Sequence, residues 1–213
     1  MSKKDIFKEM IEEETSTKQR LFYSAVYLFS TKGYANVGIR ELCSSVNIKG
    51  SAFYNHYSSK EELFKRILSY FTETSNEVIF TDEEIEDIAA TGDIKYFFEE
   101  NMKKFANSTN TPLYQTILQI VFMESYTNEE AFNIEKNNLY YLRKGYTEKV
   151  LKKMMDKGYI RTYDIEVVTA EYYYGLKGLL DEYLLLEVWN QDTSEIMRKI
   201  HNHIHFFAEL LKK

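Results

Sequence analysis

Apolar residues recur three and four positions apart along most of this chain, the spacing of amphipathic helices. Leu21, Phe22, Ala25, Val26 and Phe29 fall on one face of a first helix. Thr15, Ser16 and Thr17 offer its N-cap, and Gly33 is a natural stop. Ile39, Leu42, Cys43 and Val46 form the inner face of a helix of two turns. Asn47 then tolerates the left-handed backbone of a tight turn, and Ile48 anchors that turn in the core. A second short helix is predicted from about Ser51 to Tyr57, with Phe53 and either Tyr57 or Tyr54 pointing inward. Ser58 or Ser59 caps a long helix from Lys60 to about Asn76.

The same period continues to the end of the chain. The acidic run Asp82–Asp87 reads as a turn or a short solvated helix. Asp93 caps a helix carrying Ile94, Phe97, Phe98, Met102 and Phe105, and the polar stretch 107–112 is the clearest loop. Leu113, Ile117, Ile120, Val121 and Met123 mark the next helix, and a long one is expected from about Glu129 to Lys157, ending at Gly158. The last two run from about Asp164 to Trp189 and from Ser194 to about Leu211. Both carry wide apolar stripes, and Gly175 and Gly178 permit close approach of another helix. One proline and eight glycines in 213 residues suit an all-α fold. Residues 1–14 are polar and charged, unlike a secretory signal, and no stretch reaches the roughly 18 apolar residues of a spanning helix. A cytoplasmic protein is expected.

Two short helices joined by a tight turn after a longer helix form a helix-turn-helix, in which one helix crosses the DNA backbone and the next enters the major groove. Charge supports that reading. Residues 15–60 carry six basic side chains against Glu41 alone, a local balance of +5, whereas residues 61–213 sum to −9 within a net charge of −6. A small basic head suffices for DNA because phosphate attraction is screened over about 8–10 Å.

Gly33-Tyr34, Ile39-Arg40-Glu41-Leu42, Val46-Asn47-Ile48, Phe53-Tyr54-Asn55-His56-Tyr57 and Lys60-Glu61-Glu62-Leu63 together resemble the N-terminal segment of the tetracycline-repressor family of transcription regulators. The resemblance covers about fifty residues; beyond them the chain matches the family only in being helical. It implies an N-terminal three-helix DNA-binding domain, residues 1–60, and a helical ligand-binding and dimerisation domain, residues 61–213. It also implies a ligand-released repressor that binds a near-palindromic operator as a homodimer, without an enzymatic activity, a cofactor or a membrane partner. Arg40 is expected at a phosphate or a guanine edge. Lys49, Gly50, Ser51 and Ala52 form the leading end of the recognition helix, with Ala52 suited to a thymine methyl. Tyr54 and His56 resemble the family's phosphate-contacting pair, Asn55 is a candidate base reader, and Lys60 is expected at the DNA backbone. The chain departs from the family at Val37 and Gly38, where hydroxyl residues often open the second helix, at Asn47 in place of a turn glycine, and at Lys49 in place of a capping serine.

Eighteen tyrosines and fourteen phenylalanines suit a pocket for a planar or greasy effector. Phe71, Phe98, Phe105, Phe122, Met123, Tyr126, Tyr141 and Tyr173 are the candidate contacts, each of which also suits a plain core position. The resemblance assigns dimerisation to the last two helices. His201 and His205 stand four apart on the final helix, a spacing that can bind zinc or nickel, but two histidines make an incomplete site. There is no Gly-rich phosphate loop, no Gly-x-Ser-x-Gly and no His-Glu-x-x-His, so the motifs of common enzymes are missing. A helical small-molecule-binding protein with a non-functional DNA-binding head is the alternative, which Val37 and Gly38 favour.

Overall fold

A computed structural model of the protein describes residues 2–137 and 143–213. Its elements are helical, apart from one isolated bridge between Ile160 and Lys212. The order is α1 (Lys3–Glu13), α2 (Thr17–Lys32), α3 (Ile39–Ser45), a 3₁₀ helix η1 (Gly50–Asn55), α4 (Lys60–Asn76), α5 (Asp82–Thr91), α6 (Ile94–Thr109), α7 (Pro112–Glu124), α8 (Glu129–Ile134), α9 (Arg143–Asp156), α10 (Ile165–Val188) and α11 (Ser194–Leu211). No helix among the described residues is long and apolar enough to cross a membrane.

Local chemistry accounts for the element ends. Ser16 caps α2 by accepting from the Gln19 amide, and Gly33, at φ +80°, ends it. Asn47 takes the left-handed conformation its position suggested, at φ 57°. The acidic run is a helix, because Thr81 and Glu84 form a reciprocal capping box at the start of α5. Residues 1–14, read from sequence only as polar, contain α1. Ser2 and Asp5 box its N-terminus, and Phe7 is buried against the ring of Tyr27, 6.0 Å between centroids. Where a single helix was expected over 129–157, the described residues form α8, a π turn at 135–137, and α9 from Arg143; residues 138–142 lie outside the described residues.

The chain divides into two compact units. The first comprises residues 1–76 and 109–137, hence α1 to α4 with η1, α7 and α8. Its core is aromatic: Phe22, Phe29, Phe53, Phe64, Phe71 and Tyr114 are all essentially inaccessible. Residue 60, the expected domain boundary, is not a break in packing. Leu63, Phe64, Ile67, Leu68 and Phe71 of α4 share one core with Leu42, Val46 and Phe53 of the helix-turn-helix.

The second unit comprises residues 77–108 and 138–213, and its core joins Phe97 and Phe98 of α6, Val150 and Met154 of α9, Tyr172 of α10 and Phe207 of α11. Gly92 ends α5 in the left-handed region at φ +66°, where a Cβ would stand 3.0 Å from the Tyr159 ring. Gly92→Ala should therefore combine backbone strain with a steric clash and lower stability by about 1–3 kcal/mol. Thermal unfolding followed by circular dichroism checks this; an unchanged melting temperature would show that neither the left-handed backbone nor the ring opposes a Cβ there.

Candidate nucleic-acid interface

α3 and η1 are held from beneath by buried side chains. Leu42 and Cys43 of α3, Val46 in the turn and Phe53 of η1 are each at most 1% exposed. The turn itself closes through the Ile48 amide, which donates to the Cys43 carbonyl at 3.0 Å. Arg20 of α2 adds a second restraint by donating from Nη2 to the Val46 carbonyl at 3.1 Å. Tyr57 follows η1 inward; its hydroxyl donates to the Lys18 carbonyl at 3.3 Å, and burial pushes its phenol up to about 12.

This packing decides which residues face out. Phe53 and Tyr57 are the inward pair, and Tyr54 is 61% exposed, its ring edge-on to Phe53. Arg40, Lys49, Ser51, Tyr54 and Asn55 are exposed, and Gly50, Ala52 and His56 are partly so. No atom lies within 4 Å of a Cβ built on Gly50, so the backbone there is open to a close approach. The short helix expected over 51–57 is η1, a six-residue 3₁₀ helix over 50–55, so its side chains repeat every three residues instead of 3.6. Gly38 opens α3 with no side-chain cap, as the departure at that position suggested.

Lys60 is placed differently from a free backbone-seeking lysine. Its Nζ donates to the carbonyls of Tyr34 at 2.8 Å and Val37 at 2.9 Å, and it lies 4.1 Å from the centre of the Tyr34 ring. Burial lowers its pKa. The loop between α2 and α3 is gripped from another side by Glu124 of α7, whose Oε1 accepts from the Tyr34 amide at 2.8 Å. Sequence reasoning missed Glu124 and Arg20, because their partners are backbone groups 90 and 26 residues away.

The eight candidate ligand contacts occupy unlike surroundings. Phe71 is fully buried in the first unit, stacked on Tyr114 at 5.3 Å. Phe122, Met123 and Tyr126, also in that unit, are 38%, 43% and 80% exposed. Phe98 is buried in the second unit between Phe97 and Tyr172, at 5.1 and 4.7 Å. Tyr173 is buried and Phe105 half-buried. Tyr141 lies outside the described residues. An open groove of about 360 Å³ runs between the start of α10 and the end of α11, lined by Val167, Val168, Phe206, Phe207 and Leu210 among others and by none of the eight.

His201 and His205 are both exposed on α11, while His203 turns inward, its Nε2 2.8 Å from the Tyr172 carbonyl. Among the described residues, no group of three or more His, Cys, Asp or Glu is placed to hold a metal ion.

Comparison with known proteins agrees with this geometry. Residues 21–67 match the family described as bacterial regulatory proteins, tetR family. The biofilm operon icaADBC HTH-type negative transcriptional regulator IcaR of Staphylococcus epidermidis is 39% identical over 49 residues, 23% of this chain and 26% of the relative. IcaR of Staphylococcus aureus strain Newman is 24% identical over 102 residues, 45% of this chain and 55% of the relative. The matched segment thus spans about a quarter to a half of these relatives' length. Among solved structures, the SmeT–triclosan complex has the same fold across 92% of each chain, with a TM-score of 0.62 and 15% identity. The segment that runs from α2 into α4 thus matches the tetR family of bacterial regulatory proteins, and the chain around it shares the all-helical fold of SmeT.

Proposed function

We propose that the chain binds a near-palindromic DNA operator as a homodimer, represses transcription there, and is released by a small apolar or aromatic effector. The observation that carries the DNA reading is the outward set Arg40, Lys49, Ser51, Tyr54 and Asn55, mounted on α3, the turn and η1 over a fully buried core. Such a face offers cations for phosphates and short polar groups for base edges. The name of IcaR, a negative regulator, supports repression.

Dimerisation follows from the reading geometry, since two heads must sit about 34–36 Å apart to meet successive half-sites. The surface of α10 and α11 supports it: Leu185, Met197 and Phe206 are 60%, 46% and 59% exposed, and Trp189, just past α10, is 70% exposed. The effector reading is supported by SmeT, a fold neighbour solved as a complex with triclosan. It also draws on Tyr172, whose hydroxyl is buried in the second unit without a hydrogen-bond partner among the described residues. A polar group on an effector reaching that core would satisfy it. Binding that favours one arrangement of the heads over another would weaken DNA affinity by its differential affinity for the two states. The operator places this activity in the cytoplasm.

The uncapped start of α3 at Gly38 favours one other reading, a helical small-molecule-binding protein whose head is silent on DNA. Selection of bound fragments from the source genome separates the two. Wild type should enrich one near-palindromic site, and Tyr54→Ala and Lys49→Ala should enrich it at least about tenfold less. A folded dimer that enriches nothing at low salt would leave the small-molecule-binding reading.

A further inference from the structure

Within the loop between α2 and α3, the Asn36 and Val37 amides donate to the Gly33 and Tyr34 carbonyls at 3.3 and 3.4 Å, long for such bonds. The loop carries Tyr34 and Val37, and it delivers the chain to Ile39, where α3 begins. Three hydrogen bonds to two side chains from outside the loop fix it. The Tyr34 amide donates to Glu124 Oε1 at 2.8 Å, while the Tyr34 and Val37 carbonyls accept from Lys60 Nζ at 2.8 and 2.9 Å. Glu124 closes α7 and Lys60 opens α4, so both grips come from helices that share the head's own core. The two helices are themselves locked by the hydroxyls of Ser75 and Tyr114, 2.9 Å apart, and by the stacked Phe71 and Tyr114 rings. A second link from α7 runs from Gln119 Nε2 to the Ser30 carbonyl near the end of α2, at 3.2 Å.

We infer that Glu124 is a positioning residue for the DNA-reading head: its carboxylate pins the α2–α3 loop to α7 and so sets where α3 and η1 present Arg40, Lys49 and Tyr54. This rests on the DNA-binding function proposed above. The matched family segment ends at residue 67, so Glu124 lies 57 positions beyond it. A carboxylate on a backbone N–H makes a charge-assisted bond, stronger than a neutral pair, and its loss leaves a partly buried amide unsatisfied.

The sign of the effect makes the role testable. Removing a carboxylate from the unit that carries the DNA-reading head should, by charge alone, tighten binding to a polyanion. Positioning requires the reverse. With the full-length protein and the operator fragment recovered from the genome, Glu124→Ala should bind about tenfold more weakly, with an unchanged dependence on salt, because no phosphate contact is lost. Glu124→Gln keeps an acceptor oxygen and should recover most of that loss. In free protein, exchange of the Tyr34 amide should speed up about tenfold in Glu124→Ala and much less in Glu124→Gln. Equal or tighter DNA binding by a folded Glu124→Ala overturns the inference, as does Tyr34 exchange identical to wild type. If wild type itself binds no DNA, the proposed function fails and the positioning of a DNA reader with it, while Tyr34 exchange still reports separately whether the clamp exists.

Discussion

Phe71→Ala is expected to lower the unfolding free energy by about 3–5 kcal/mol, the range for deleting a packed aromatic ring. The Phe71 ring is 0% exposed and lies 5.3 Å from Tyr114 at an interplanar angle of 20°. The Tyr114 hydroxyl is paired with Ser75, so the neighbouring ring is held where it is and cannot readily fill the vacated space. A domain of this kind has about 5–15 kcal/mol in total, and the variant should be largely unfolded at modest denaturant. Tyr126→Ala, an equally large truncation at a side chain 80% exposed, should fall within about 0.5 kcal/mol of wild type. Urea unfolding of the two variants beside wild type makes the comparison. A loss below about 1 kcal/mol for Phe71→Ala would mean that the ring borders empty space. Only then would the effector-contact role suggested by its aromatic chemistry stand ahead of the core role.

The contrast between Phe71 and Tyr126 shows where sequence information ends. Both were candidates because aromatic residues suit an effector pocket, yet composition carries no depth. Spacing served better where one period and one partner decide the outcome. α2, α3, α4, α10 and α11 all fall close to their expected bounds, because each carries apolar residues at helical spacing, and Ser16, Ser59 and Asp164 cap α2, α4 and α10. Asn47 took its left-handed turn for the same local reason. α1 was legible in Ser2, Asp5 and Phe7 but was obscured by seven charged residues among its eleven. The type of η1 could not be read, since six residues hold too few turns to tell a period of three from 3.6. Lys60 was assigned to DNA by its place in a motif; its two carbonyl partners come from a loop 23 to 26 residues earlier. Glu124 had no local signal at all, because a carboxylate at a helix end looks the same whether it faces water or a distant amide.

DNA affinity should fall about a thousandfold between 50 and 200 mM salt, the largest effect expected of this protein. The head carries its +5 in residues 15–60, apart from the acidic remainder, and Arg40, Lys49 and Lys18 are exposed. About three phosphate contacts per head, or six for a dimer, give a slope near −5 in log affinity against log salt. Each contact removed by Arg40→Ala or Lys49→Ala counts twice in a dimer, so either variant should reduce the slope by about 2. Tyr54→Ala removes a neutral contact and should weaken binding with the slope intact. Lys60→Ala separates two roles for a lysine already engaged with the Tyr34 and Val37 carbonyls. A phosphate contact would lower the slope, whereas a purely loop-holding lysine would lower affinity and leave the slope alone. Fluorescence anisotropy titrations of one labelled operator across salt give all five slopes. Affinity independent of salt would remove phosphate neutralisation from the mechanism, and DNA reading by this head would go with it.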